Sequence, residues 1–273
     1  MNVPINPTDA ASALVARLRA AGCVFAEEEA ALLTSEAAGA DALEDMVTRR
    51  SSGLPLEQIL GWSEFLGLRV PVAPGVFVPR RRTELLAALA VERLSGSARP
   101  VVVELCCGSG AVTLGIAAHT TSSPELYAVD IQPAAVQRAG LTLAGLATVL
   151  AGDLFSPLPA ALRGRIDVVV ANAPYIPTAQ LETLPREARE HEPPLTLDGG
   201  SDGLDLLRRI IAAAPEWLRP GGCVLLECSE SQSEPVREIM LSRGFRPDIV
   251  RREATDATVA VARWEPGTAE APR

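Results

Sequence analysis

Apolar residues fall into two spacings along this chain. From Thr8 to about Arg50 they recur at helical intervals, as in Leu14 and Leu18 and again in Ala30 and Leu33, with Gly22 and Gly39 as breaks. After Thr83 a helix to about Leu94 leads into short, continuous apolar runs at Val101 to Leu105, Leu126 to Val129, Val168 to Ala171 and Val224 to Glu227. Helical stretches lie between them, near Val112 to Ala118, Ala134 to Ala144 and Leu204 to Leu218. Buried strands alternating with helices predict a mostly parallel sheet covered on both faces. Between the two regions the chain is rich in Gly and Pro, and its alternation around Leu68 to Val78 suggests a β-hairpin. Near the end, FRPDIVRREATDATVAVARW reads as two strands about a turn at Ala254 to Asp256, an antiparallel pair at one sheet edge. The last residues have the composition of a disordered tail. No internal repeat is found.

Composition excludes several classes of function. The 273 residues are 48% hydrophobic and carry a net charge of −9. A surface that coats nucleic acid needs a basic face, so direct sequence-specific nucleic acid binding is not expected. The run Arg80, Arg81 and Arg82 reads first as a solvated face, with a grip on an acidic protein or on RNA as the alternative. The chain contains no lysine, which excludes Schiff-base and P-loop lysine chemistry. Five cysteines, Cys23, Cys106, Cys107, Cys223 and Cys228, are scattered without metal-ligand spacing and read as reduced residues. His119 and His191 stand alone in loop-like contexts, so no metal site is expected. The N-terminus lacks a basic start and an apolar core, and no apolar run approaches about 18 residues, which predicts a cytoplasmic protein with no membrane span.

The chemistry-bearing positions cluster where strands end. VVVELCCGSGAVTLGIA is a strand, a small-residue loop and a helix, and Gly108 and Gly110 let backbone N–H groups approach a ligand at a helix start. Glu104 closes that strand, and Asp130 closes the next at the distance expected of a ribose-binding carboxylate. Asp153 and Leu154 follow a further candidate strand, positioned to border an adenine. Each has a plainer reading: a tight turn for the glycines, a helix cap for Asp130, a turn cap for Asp153. A nicotinamide dinucleotide loop would require a small residue at Thr113 and leaves Glu104 unexplained. S-adenosyl-L-methionine fits better, because its ammonium needs a carboxylate and its carboxylate needs backbone donors.

VVVANAPYIP then runs a buried strand into Asn172, Ala173, Pro174 and Tyr175. An amide nitrogen is a poor nucleophile, so an enzyme that methylates one must hold it in line and accept its hydrogen bonds. Asn172 offers a side-chain oxygen, Ala173 a carbonyl, Pro174 a stiff turn and Tyr175 a ring. An Asx turn at Asn172 and a core role for Tyr175 are the plainer alternatives.

These segments together, from LPLEQILGWSEFLGLRVPVAPGVFVPRRRTELL through ELCCGSGA, AVDIQPAAVQRA, GDLF and NAPYIP to HEPPLTLDGGSDGLDLLRRIIAAAPEWLRPGG, resemble the release-factor glutamine methyltransferase family, also called the HemK family. This family lies within the class I S-adenosylmethionine-dependent methyltransferases. The resemblance implies an α/β, Rossmann-like sheet of seven strands, mostly parallel with a reversed last strand, behind a small N-terminal helical domain. It divides the chain into a helical substrate-recognition domain (1–60), a β-hairpin linker (61–82), a methyltransferase domain (83–265) and a tail (266–273). By resemblance, Glu104, Cys106, Cys107, Gly108, Ser109, Gly110, Asp130, Asp153, Leu154 and Asn172 hold the cofactor. Asn172, Ala173, Pro174 and Tyr175 hold the acceptor, and Asn172, Pro174 and Tyr175 carry catalysis. The implied reaction methylates the N5 amide of a protein glutamine, with a peptide chain release factor as candidate partner, and leaves S-adenosyl-L-homocysteine.

Three departures mark a divergent paralogue. Cys106 and Cys107 replace a glycine and a small polar residue, N-A-P-Y replaces N-P-P-Y, and VPRRRTE replaces V-P-R-P-E-T-E. They leave open another amide or amine acceptor, or a catalytically weak protein that retains cofactor binding.

Overall fold

In the computed structural model, which describes residues 7–94 and 99–266, the helical periodicity becomes three helices, α1 (Pro7–Ala20), α2 (Ala26–Glu36) and α3 (Ala40–Ser51). Their facing positions bury Leu18, Leu33 and Val47 completely. Gly22 and Gly39, at φ +92° and +131°, reverse the chain between them in conformations that favour glycine. A short helix α4 (Leu56–Leu60) ends at Gly61 and feeds strands β1 (Trp62–Phe65) and β2 (Leu68–Pro71). The hairpin therefore turns at Leu66 and Gly67, earlier than the alternation around Leu68 to Val78 suggests; Val72, Val76 and Val78 are buried in the irregular chain that follows, around a turn at Pro74 and Gly75.

Helix α5 (Glu84–Arg93) opens the larger region. It is followed by β3 (Val101–Leu105), α6 (Ala111–His119), β4 (Glu125–Asp130), α7 (Pro133–Thr142), β5 (Thr148–Ala151), β6 (Ile166–Ala171), α8 (Arg186–His191), α9 (Asp205–Trp217), β7 (Leu218–Glu227), α10 (Ser233–Ser242), β8 (Phe245–Arg252) and β9 (Ala257–Trp264). The seven strands β3 to β9 form one sheet in the order β5-β4-β3-β6-β7-β9-β8, and β9 is antiparallel to both its neighbours. The expected seven-stranded, mostly parallel sheet with a reversed last strand is present. The suggested tail lies outside the described residues except for Pro266.

Strand residues alternate between two cores, which is why the runs are apolar throughout. Val103, Leu105, Val169 and Ala171 pack with Leu207, Ile210 and Ile211 of α9 and Val236 and Met240 of α10. Val102, Val168 and Val170 pack on the other face with Leu86 and Ala90 of α5 and Val112 and Ile116 of α6. Each fully buried Leu or Ile contributes about 1.5–3 kcal/mol. Two such layers make the sheet rigid enough to fix the loops at its carboxyl edge. Strand order reverses between β3 and β6, and the crevice at such a reversal is where doubly wound sheets bind ligands.

Candidate active site

The loops that follow β3, β4, β5 and β6 open on one cleft of about 720 Å³, a size typical of cofactor sites. Glu104, Cys106, Cys107, Gly108, Ser109, Asp130, Asp153, Leu154 and the whole turn Asn172 to Tyr175 line it. Gly110 stands just behind, at φ +80°, where a side chain would run into Leu143. It lets α6 start against α7.

Glu104 sits on the floor and is buried. Its Oε2 accepts from the Thr113 N–H at 2.8 Å and from the Thr113 hydroxyl, so it satisfies an orphan donor in the first turn of α6. Among the described residues no hydrogen bond reaches Oε1, which leaves it for a cation. Burial pushes this carboxyl up to about 7, against the downward pull of the two Thr113 bonds. Folded Glu104 thus keeps a proton between about pH 4.5 and pH 7 that an exposed carboxylate gives up. Its contribution to stability is full below that window and is lost as pH rises through about 7. An ammonium ligand requires the ionised form, so its affinity is expected to rise across the same window, and Glu104→Gln is expected to abolish that rise. Calorimetric titration of cofactor at about pH 6 and about pH 8 checks this; equal pH dependence in both proteins would refute it.

Asp130 accepts from the Gly108 N–H at 2.8 Å and the Gln132 N–H at 2.9 Å, which locks the first loop to the second. It is not the N-cap of α7, a place taken by Gln132. Burial raises its pKa, and the N–H groups of Gln132, Gly108 and Ile131 pull it back. Asp153 forms an ion pair with Arg209 of α9 at 2.5 Å. Arg209 also lines the cleft, a residue with no local sequence signal.

Two side-chain-bearing residues on the cleft wall adopt left-handed backbone, Cys106 at φ +55° and Leu154 at φ +49°. Each costs about 1–2 kcal/mol relative to glycine. Cys106 therefore occupies a position whose geometry suits the glycine usual in the resembled family. Burial pushes both the Cys106 and Cys107 thiols well above their ordinary value, so neither is a nucleophile.

Asn172 leaves the end of β6 with its Nδ2 donating to Thr83 Oγ1 at 3.1 Å. Among the described residues no donor reaches the Ala173 carbonyl, although Ala173 is buried. Tyr175 donates its hydroxyl to Glu227 Oε1 at 3.3 Å. Burial raises the Tyr175 pKa far above its usual value, so the ring stays neutral. Behind it, Gln232 Nε2 donates to the Tyr175 carbonyl at 2.8 Å and the Asp202 carbonyl at 3.1 Å. Gly203, at φ +78°, lies where a Cβ would collide with the Tyr175 carbonyl and Gln232 Nε2. Gly203→Ala is expected to cost about 2 kcal/mol and to lower Tm by about 4–8 °C, with loss of activity, as thermal unfolding and methylation assays would show.

Of the arginine run, Arg81 is exposed as a solvated face would have it, while its two neighbours are engaged. Arg80 pairs with Glu192, whose side chain is 2% exposed. Arg82 pairs with Glu227 at 3.4 Å and lies over the Tyr175 ring at 5.9 Å. Both arginines line the cleft. Glu192 keeps Oε2 without a partner, a buried acceptor on the cleft wall. His119 and His191 end helices α6 and α8 rather than lying in loops. No group of three or more His, Cys, Asp or Glu that could hold a metal occurs among the described residues, and none of their helices is long and apolar enough to cross a membrane.

A family model described as a methyltransferase domain matches residues 102–194. The release factor glutamine methyltransferase of Moorella thermoacetica is 40% identical over 204 residues, 72% of this chain and 70% of that protein. A 4-amino-L-phenylalanine/4-methylamino-L-phenylalanine methyltransferase of Streptomyces pristinaespiralis is 37% identical over 204 residues, 72% of this chain and 69% of that protein. A solved structure of T. thermophilus 16S rRNA N2 G1207 methyltransferase, in complex with AdoMet and guanosine, shares the fold with a TM-score of 0.52 and 22% identity over 75% of this chain and 50% of that one.

Proposed function

The chain belongs to the release factor glutamine methyltransferase family, and we propose that it transfers a methyl group from S-adenosylmethionine to the N5 amide nitrogen of a protein glutamine, with a peptide chain release factor as the first acceptor to test. One observation carries this reading: the turn Asn172 to Tyr175 and the loop around Gly108 open on the same cleft.

The residues of the cleft fit the cofactor. Glu104 keeps one oxygen for its ammonium, and Asp130 is placed at the end of β4 for the ribose hydroxyls. Ser109 Oγ, buried on the loop, has no protein partner and is left for the ligand. Nothing lies within 4 Å of the place a Gly108 Cβ would take, so the backbone is open to close approach. Leu154 supplies an apolar edge for the adenine and Asp153 an acceptor beside it. When bound, S-adenosylmethionine supplies a methyl group on a positively charged sulfur.

The acceptor nitrogen carries a delocalised lone pair, and the turn's task is to hold it in line with that methyl. Asn172 Oδ1 and the unengaged Ala173 carbonyl accept its two N–H bonds, and Pro174 stiffens the turn. Tyr175 presents its ring to the sulfonium charge. Held so, the nitrogen would stand in line to take that methyl group, and the acceptors at Asn172 and Ala173 would keep its hydrogens oriented while one of them is given up to water. We place recognition of the protein acceptor on the helical region 1–60, where Val24 and Phe25 are exposed between α1 and α2. The hairpin linker 61–82 joins it to the methyltransferase domain 83–265.

A second reading keeps the donor and changes the acceptor to an amine. It is favoured by the 37% identical relative that acts on an aromatic amine, and by Arg82 and Ala173 in a cleft where the family usually has Glu and Pro. Peptide mass spectrometry separates the two, using a purified release factor or 4-amino-L-phenylalanine incubated with the protein and S-adenosylmethionine. One added methyl on the glutamine of a Gly-Gly-Gln segment supports the first reading; methylation of the small amine alone replaces it with the second.

A further inference from the structure

Among the described residues, three arginines line the cleft, Arg80, Arg82 and Arg209. Arg209 donates to Asp153 at 2.5 Å and Arg80 to the buried Glu192. Arg82 has no such bond. Its Nε faces Glu227 Oε1 at 3.4 Å but is buried outside hydrogen-bond geometry, and neither Nη1 nor Nη2 donates to any described residue. Glu227 is itself buried, and burial raises its pKa, which weakens it as a counter-charge for Arg82. Two further acids, Glu230 and Asp256, line a second cavity of about 480 Å³ that shares Arg82 and Tyr175 with the first as a wall. Neither makes an ion pair with Arg82, and Glu230 is held by Arg251.

A guanidinium keeps its charge at every physiological pH and offers five N–H donors on a planar fork. The side of the fork that carries Nε is turned to Glu227, which leaves the end formed by Nη1 and Nη2. The side chain is 40% exposed although Nε is buried, so its exposed surface lies on the rest of the group. The chain itself places this group beside the acceptor. Thr83 follows Arg82, with its Cα about 3.8 Å away, and its hydroxyl accepts from Asn172 Nδ2 at 3.1 Å. The guanidinium also lies over the Tyr175 ring at 5.9 Å. Arg82 therefore stands at the turn that holds the nitrogen to be methylated. A glutamate here, as the resembled family usually has, would add a second acid beside Glu227 and repel an anionic acceptor; the arginine reverses that selection.

We propose that the free end of the Arg82 guanidinium binds a carboxylate of the acceptor, so that this protein selects molecules with a negative charge close to the nitrogen to be methylated. Carboxylate and guanidinium match as a two-bond fork. The carboxylate belongs to the acceptor residue itself, as in a free amino acid, or to an acidic side chain next to it in a peptide. The inference rests on the placing of the acceptor at Asn172 to Tyr175 and adds what the acceptor carries around its nitrogen.

Two acceptor pairs, each differing by one carboxylate, test it with S-adenosylmethionine as donor. The first is Gly-Gly-Gln-Glu against Gly-Gly-Gln-Ala, both ending in an amide; the second is 4-amino-L-phenylalanine against its amide. In at least one pair kcat/KM is expected to be about ten- to a hundredfold higher for the acid, and the pair that shows it identifies the source of the carboxylate. Arg82→Gln is expected to bring that ratio to about one, and Arg82→Lys, which keeps the charge beside Glu227 but not the fork, to leave about three- to tenfold of it. Ratios near one in both pairs, or a ratio that survives Arg82→Gln, would overturn the proposal; peptides methylated alike would still uphold the glutamine reading. An Arg82-dependent preference for 4-amino-L-phenylalanine with neither peptide methylated would keep Arg82 in this role and remove glutamine as the acceptor. Where none of the four is methylated, calorimetric titration into protein loaded with S-adenosyl-L-homocysteine decides, and no tighter binding of either acid than of its partner would overturn the proposal. Thermal unfolding of both variants separates a lost ratio from a lost fold.

Discussion

Asn172→Ala is expected to leave a folded protein that still binds S-adenosylmethionine but methylates its acceptor at least about a hundredfold more slowly. The expectation follows from where the side chain stands. Asn172 comes directly after a strand whose neighbouring residues are buried, so truncating it disturbs the turn rather than the sheet. One part-buried hydrogen bond is lost, to Thr83, and with it the amide oxygen that faces the acceptor. The Ala173 carbonyl survives and gives residual orientation. Initial rates at saturating cofactor, with Kd measured separately, check the claim, and a variant with unchanged kcat/KM would remove Asn172 from the reaction.

Arg50→Ala is expected to be the most destabilising single change, at about 3–5 kcal/mol. Arg50 is a fork held on Glu29 at 2.6 and 3.1 Å, and both side chains are about 90% buried. The same guanidinium donates to the Leu54 carbonyl and to Glu187, both at 3.0 Å. Its removal leaves a carboxylate without a counter-charge between α2 and α3. It also releases α8, because Glu187 lines the cleft. Chemical unfolding should show the loss, and the acceptor KM should rise while the cofactor Kd holds. Arg50→Ala/Glu29→Ala should recover part of the stability, because no buried charge is then left alone. A single variant as stable as the parent would contradict the burial argument.

The sheet and the cleft-lining loops were legible in the sequence because their signals are local. An acid near the end of an apolar run marks both Glu104 and Asp130, the penultimate residue of β3 and the last of β4, and both line the cleft. The hairpin was displaced because its two-residue turn hides its signal. Leu66 and Gly67 both take positive φ, at +51° and +73°, a turn for which Asn-Gly is the usual advertisement. Helix α10 escaped because Val236 and Met240 are almost all that it buries. The partners of the site were illegible for another reason. Thr83 meets Asn172, Arg80 meets Glu192 and Asp153 meets Arg209 across 56 to 112 positions of sequence, so only the folded chain juxtaposes them. Glu227 carried the same mark as Glu104, an acid near the end of an apolar run, and could have been singled out by it.

The order of the sheet also governs when it can be finished. Strand β9 lies between β7 and β8, although it is the last of the three to be synthesised. Until Trp264 has been made, β7 presents an open row of amide and carbonyl groups, and β8 has no neighbour to pair with. The nascent chain can build β3 to β7 with their helices as it emerges, but closure must wait for the ribosome to deliver residues 257–264. A chain stalled or clipped before that point would keep most of its cleft-lining loops and expose a hydrophobic strand edge, making it a substrate for chaperones rather than an enzyme.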